Sequence, residues 1–328
     1  MGDRRGLHTA FAAAFLALLA LVPAIAALAG QPYYVTLFSR IVIFGLAAVG
    51  LNLILGFGGL VSFGHALYVG IGAYAVGILS FHGVTSGLAH LGAALGVGAL
   101  AAVLIGLVCL RTSGMAFIMI TLAFAQMFYF LAVSLRQYGG DDGLTIGARS
   151  GLGALDLNDS AVLYYLSFGL LVLALYGSHR VVHSRFGMVL QGCKSNERRM
   201  IALGFPTLRY KLVAYVISAL TCVVSGVLLA NLTRYTSPAY MHWVVSGDLI
   251  VMILFGGMET LLGPIVGSAA LVIVEELLTG FRLALPWGLD ALVRAHWMAL
   301  LGIMIIAVVL SLKQGLYGWL VARHGRPD

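Results

Sequence analysis

The apolar runs of this chain constrain its fold more than any other feature. They continue, nearly unbroken, for the roughly 20 residues that a bilayer-spanning helix needs. Inside hydrocarbon every backbone polar group must be satisfied within the protein, which leaves helices or a closed barrel. Barrel strands read as short segments alternating with period two, and the runs here are continuous, so they specify helices. Composition agrees: 61% of the 328 residues are hydrophobic, 9% are charged, and mean hydropathy is +1.02. A soluble domain carries about 25% charged residues, so this chain could not cover a water-facing surface. The expected fold class is an all-α, polytopic transmembrane helical bundle of about ten helices, some broken, in a single domain over 1–328.

The expected spans lie near 8–29, 34–56, 60–80, 87–110, 115–135, 161–178, 212–233, 247–257, 261–280 and 297–312. Gly256, Gly257, Gly263 and Pro264 interrupt the eighth and ninth, leaving open two short helices or one broken segment. A cytoplasmic N-terminus puts 13 of the 19 Lys and Arg on the cytoplasmic side. These are Arg4, Arg5, Arg111, seven residues between Arg180 and Lys211, Lys313, Arg323 and Arg326. Arg136, Arg149, Arg234, Arg282 and Arg294 fall outside with Asp141, Asp142, Asp156, Asp159, Asp248 and Asp290, and Arg40 lies within the second span. Such a bias orients a membrane protein with both termini in the cytoplasm. It also accounts for the net charge of +7 without nucleic acid as a partner. The first run has the basic start and small-residue end of a signal peptide, but it exceeds the usual apolar core of about 7–15 residues and reads as a retained helix.

Few residues offer chemistry. Gly187 to Ser195 reads G-M-V-L-Q-G-C-K-S, and Cys193 stands where a phosphate-binding loop needs Lys directly after glycine, so no nucleotide site is expected here. Cys109, Cys193 and Cys222 sit singly, without metal-ligand spacing, and no metal is expected. The nine histidines are scattered, with no H-E-x-x-H, nucleophile elbow or carboxylate pair beside them, so no catalytic residue is assigned.

Gly56 to Ala75, G-F-G-G-L-V-S-F-G-H-A-L-Y-V-G-I-G-A-Y-A, is the most informative membrane stretch. Six glycines with Ser62 and His65 suggest a broken helix, a device that transporters use to bind or gate substrate. A histidine is costly against lipid and should face the bundle interior. Ser62 and His65, with Asn52, Gly59 and Gly64 around them, are the candidates for a translocation path or gate. The competing reading is structural: glycines for tight packing, His65 capping a carbonyl, and Asn52, Thr121 and Gln126 bonding between helices. Glu275 and Glu276 are expected to meet water at the outer end of the ninth span. The charged loop 179–211 contains a short amphipathic helix, capped by Ser195 or Asn196 and ended by Gly204 and Pro206, suited to docking a cytosolic partner.

Gly56–Ala75, the 179–211 loop and G-D-L-I-V-M-I-L-F-G-G-M-E-T-L-L-G-P-I-V-G from Gly247 to Gly267 together resemble the branched-chain amino-acid permeases of bacterial ABC importers, the LivM-like subunit in particular. G-G-D-D-G-L, from Gly139 to Leu144, also looks like the family's pattern after its fifth helix. The resemblance runs from the second span to the end of the chain. It implies a multi-pass protein of the bacterial inner membrane that pairs with a second related permease (LivH-like). Two cytosolic ATP-binding subunits, which would hold the ATP, and a periplasmic substrate-binding protein would complete the importer. It further implies that the coupling residues are Glu197, Arg198, Arg199, Ala202 and Gly204, and that the loops 136–160, with Asp141 and Asp142, and 234–246 meet the binding protein. Q-G-C-K-S-N-E departs from the A-I-R and acidic residues that family members often carry, changing the charge on the ATPase side. The same family imports urea, short amides, other amino acids and small carboxylates. A stand-alone secondary transporter would instead require an ion site or buried acids at mid-membrane, and none is clearly placed there.

Overall fold

A computed structural model describes residues 2–28, 30–151, 157–280, 296–311 and 315–317, with side chains from residue 13 onward except at 309. Asp156, Arg282, Asp290, Arg294, Lys313, Arg323 and Arg326 lie outside the described residues, as do the Arg4 and Arg5 side chains. The chain is an all-α bundle. In order it forms α1 (Gly2–Leu28), α2 (Pro32–Asn52, prolonged by a π-helical turn Leu53–Phe57), α3 (His65–Phe81), α4 (Gly87–Cys109), α5 (Met115–Ser134) and α6 (Ser160–Val182). Then come α7 (Arg185–Ala202), α8 (Thr207–Thr233), α9 (Trp243–Gly256), α10 (Gly263–Thr279) and α11 (Trp297–Ser311). Two short strands, β1 (Leu144–Thr145) and β2 (Tyr235–Thr236), pair antiparallel. Among the described residues, five helices are long and apolar enough to cross a bilayer: α2 with its π turn, α4, α5, α6 and α8.

At the centre, α2 and α8 pack against each other and against α3 and α10. Small residues make this possible, because in lipid helices associate through close packing and polar bonds rather than hydrophobicity. Gly72 of α3 faces the Val223 carbonyl of α8, and Gly226 of α8 faces the Val69 carbonyl of α3; a Cβ at either would collide with backbone. Hydroxyls fasten the same core. Ser225 donates to the Ile43 carbonyl at 2.9 Å, and Ser268 to those of Ile265 and Ile41 at 2.8 and 3.2 Å.

Local chemistry marks the ends of some of the described helices. Asp159 caps α6 by accepting from the Ala161 amide at 2.9 Å. Helix α7 ends in a Schellman turn: Gly204 takes φ +86°, its amide donates to Ile201, and the Phe205 amide donates to Met200. Gly257 (φ +113°) separates α9 from α10, so the interrupted run near 247–280 is two short helices.

Three expectations are refined. The run expected as a span from 60 begins its helix only at His65, since Gly58 and Gly59 end the preceding helix and 60–64 is irregular. Within the 234–246 stretch, expected as an outer loop, residues 235–241 pack along α3 before α9 begins at Trp243. Thr236 donates to the Ala73 carbonyl at 3.0 Å, and Met241 lies against Gly70, where no side chain intrudes. Glu275 and Glu276 also do more than meet water: Tyr33 donates to Glu276, and Arg40 lies 4.0 Å from Glu275, tying α2 to α10.

Candidate functional site

Helix α3 has 17 residues, about 25 Å at 1.5 Å per residue, less than the roughly 30 Å hydrocarbon core. A helix this short cannot cross the core alone, and its N-terminus follows an irregular segment within the bundle, where the free amides of a first turn need partners. Hydroxyls from several elements supply them. The Phe63 amide donates to Thr121 Oγ1 of α5 at 3.3 Å, the Gly64 amide to Ser62 Oγ at 3.2 Å, and the Ala66 amide to Ser246 Oγ of α9 at 2.8 Å. His65 Nδ1 is hydrogen-bonded to Ser62 Oγ at 2.9 Å and Nε2 to Ser218 Oγ of α8 at 3.0 Å. Its ring meets Tyr68 and Tyr215 edge-on, and the two phenol oxygens are 3.0 Å apart. Ser62, His65, Thr121, Ser218 and Ser246 are all fully buried. The result is a sealed polar plug held by α3, α5, α8 and α9. His65 caps no carbonyl here; its partners are two serine hydroxyls.

Asn52 and Gly59 belong to a second centre at the end of the bundle that carries α7. Two irregular segments meet there: 58–64 after the π turn, and 257–262 between α9 and α10. Asn52, the last residue of α2, donates from Nδ2 to the Thr260 carbonyl at 2.8 Å, tying α2 to the second segment. Thr260 in turn accepts from the Gly263 amide at 3.1 Å, capping α10. Lys194 of α7 donates to the Gly56 carbonyl of the π turn at 2.7 Å and pairs with Glu259 of the second segment. Beside them, a cleft of about 970 Å³ is lined by Leu16, Tyr176, His179, His183, Gln191 and Glu259, among others.

Helix α7 is kinked at Asn196 (φ −159°, ψ 98°), and the Asn196 side chain accepts from the Arg199 amide at 3.0 Å, capping a second limb. On that limb Arg198, Arg199, Ala202 and Gly204 are exposed beside Ile201 and Leu203. Glu197 is turned inward and pairs at 2.6 Å with the buried Lys211 of α8. Burial pushes the neighbouring Cys193 thiol up, with the Lys211 ammonium opposing and Glu197 adding to the shift.

The opposite end is a stitched platform. Asp141 and Asp142 stand exposed on a 3₁₀ turn, and Tyr235 donates to the Asp142 carbonyl. His90 is fully buried. Its Nε2 lies 2.8 Å from the Val84 carbonyl and so donates, leaving Nδ1 to accept from Ser150 Oγ at 2.6 Å. The Ser150 amide donates to Asn231 Oδ1 at 2.7 Å. Burial lowers the Arg149 pKa, and the nearby Arg234 adds to the shift. Beneath the platform an apolar cavity of about 340 Å³ lies between α3, α4 and α5, lined by Ile71, Tyr74, Val97, Phe128 and Leu131 among others. Among the described residues no three His, Cys, Asp or Glu side chains converge to hold a metal.

Sequence reading missed Ser218, Ser246, Lys194, Glu259 and the burial of Lys211. A hydroxyl isolated in an apolar run was the available signal for the two serines. Lys194 and Lys211 were indistinguishable from topology charges.

Residues 33–309 match the family model of the branched-chain amino acid transport system permease component. Two relatives, from Salmonella typhimurium (strain LT2) and Escherichia coli (strain K12), are both described as the high-affinity branched-chain amino acid transport system permease protein LivM. Each is 24% identical over 298 residues, covering 84% of this chain and 67% of the relative. No solved structure matches the chain.

Proposed function

The chain belongs to the permease-component family of branched-chain amino acid transport systems, and from that premise we propose that it is the membrane subunit of an ABC importer for branched-chain amino acids. The match over 33–309 carries this reading. Its apolar helices make it a multi-pass protein of the inner membrane. It works beside a second related permease, with ATP hydrolysed by two cytosolic partners and substrate delivered by a periplasmic binding protein. The bundle end carrying α7 then faces the cytoplasm, both termini lie there, and ten spans cross the bilayer. The second limb of α7, with Arg198, Arg199, Ala202 and Gly204, docks an ATPase, while Glu197 anchors that limb to α8. Asp141 and Asp142 face the binding protein.

The gate is the broken start of α3. Ser62, Gly64 and His65 close the path as the sealed plug, and Asn52 and Gly59 belong to the segments that must move for it to open. Alternating access requires each state to be favoured by different contacts. Hydroxyl partners on α5, α8 and α9 give the closed state such contacts.

Purification from native membranes in mild detergent, followed by reconstitution, tests the proposal. A sister permease and two ATPases should co-purify, and labelled leucine should enter vesicles only with ATP and the binding protein. A homomer that takes up substrate on an ion gradient alone would overturn it in favour of a secondary transporter.

A further inference from the structure

We infer that Lys194 is the strut through which α7 moves both membrane breaks together, a positioning residue for transport. The inference rests on the proposed docking of α7 to an ATPase.

Lys194 sits at the end of the first limb of α7, two residues before the kink at Asn196. Its ammonium donates to the Gly56 carbonyl at 2.7 Å and pairs with Glu259. One side chain therefore holds the end of the π turn that opens the first break and the middle of the second break. Lysine suits this position because a flexible stem and three donors let it serve a carbonyl and a carboxylate at once.

Three features of the backbone are fitted to this contact. Gly59 takes φ +68°, and a Cβ there would come within 2.8 Å of Lys194 Cγ, so the stem occupies the space that the glycine leaves. Glu259 takes φ +66°, a conformation that residues other than glycine seldom adopt, and its carboxylate meets the ammonium from that position. Asn52 already ties the end of α2, just before the π turn, to the second break through the Thr260 carbonyl, so the ammonium adds α7 to elements that are tied together.

The pair is partly exposed, with 34% of the Lys194 side chain and 63% of the Glu259 side chain open to solvent. Such an ion pair contributes little to stability, so its role is to transmit position. On the other side of the kink, Glu197 and the buried Lys211 bind the second limb to α8. Helix α7 is thus fastened to the two breaks before Asn196 and to α8 after it. A movement of α7 with its docked partner reaches the breaks through Lys194.

The test uses the full transporter in nanodiscs. Met258→Cys, an exposed position beside Glu259, reports maleimide labelling with and without ATP, and Arg199→Cys reports cross-linking to the ATPase. Lys194→Met keeps the stem and loses the ammonium. Glu259→Gln keeps the shape and loses the charge, and serves if the first variant fails to assemble. In either variant we expect ATPase cross-linking and hydrolysis to persist while the ATP-dependent change in Met258→Cys labelling falls roughly tenfold, within the usual range of coupling between sites. Lys194→Arg should restore it. An unchanged labelling response in Lys194→Met or Glu259→Gln overturns the strut while leaving the docking reading intact. Absence of the Arg199→Cys cross-link in the unmodified background overturns the docking reading and the strut with it.

Discussion

Helices α2 and α5 have the same apolarity, yet 83% of the α2 span is buried and only 22% of α5. Helices α8 and α4 form a second matched pair, at 61% and 28%. In water, apolarity predicts burial; in a bilayer it predicts only membership of the membrane. What separates the pairs is the placement of small and hydroxyl-bearing residues. Helix α8 puts Ser218, Ser225, Gly226 and Asn231 against its neighbours, and all four are buried. The outer face of α4 carries Leu100, Val103, Leu104 and Leu107, all exposed. Close backbone approach and interhelical hydrogen bonds choose the core, as expected where lipid is as apolar as leucine.

Glycine substitution gives the largest effect and the sharpest way to break this comparison. Gly226→Val drives a side chain into the Val69 carbonyl of α3 and should destabilise the fold by about 3 kcal/mol, the upper range for overpacking. A Cβ at Gly96 of α4 meets open space, so Gly96→Ala should be neutral or stabilising by roughly 0.5–1 kcal/mol through helix propensity. The fraction remaining monodisperse after heating in detergent measures both. Equal losses at the two positions would mean that small residues do not mark the core.

Removing hydroxyls should act in the same direction with less force. Ser218→Ala strips His65 Nε2 of its partner inside a fully buried cluster, a loss of roughly 1–3 kcal/mol for an orphaned buried group. Ser134→Ala on exposed α5 removes a bond to its own helix and should change the melt by less than about 0.5 kcal/mol. Matching shifts in the two melting curves would contradict the plug as a cooperative structure.

The same distinction explains what the amino-acid order made legible. The positions of most helices followed from hydropathy because an apolar run is a local property. The Asn196 cap and the Gly204 stop were readable because capping is decided within four residues. The interruption at Gly256 and Gly257 was visible, and its form as two helices followed from a single positive φ. The path of 235–242 along α3 was hidden: a polar stretch between two apolar runs reads as a surface loop, and nothing in it names the glycines it packs against. Lys194 and Lys211 were hidden for a related reason. Both sit in a basic loop where charge alone accounts for them, and only three-dimensional partners, Glu259 and Glu197, separate them from topology signals.

The smallest expected effect bears on whether α5 is periphery at all. Gln126 lies at the middle of α5, half exposed, and finds no hydrogen-bond partner among the described residues. Met119, Ala123 and Phe130 share its face. An amide held against lipid tails without a partner costs on the order of 1–3 kcal/mol, and leucine of similar size would remove that cost. If the face meets lipid, Gln126→Leu should raise the stability of the chain and leave its complexes unchanged. If the face is covered by the proposed second permease, the amide has its partner there. The variant should then weaken recovery of the sister subunit several-fold, the scale of one interhelical hydrogen bond in a membrane, and the assembled complex should gain no stability. Quantifying co-purified permease against ATPase at matched expression separates the cases. Undiminished recovery with a higher melt would return α5 to the lipid-facing side of the comparison.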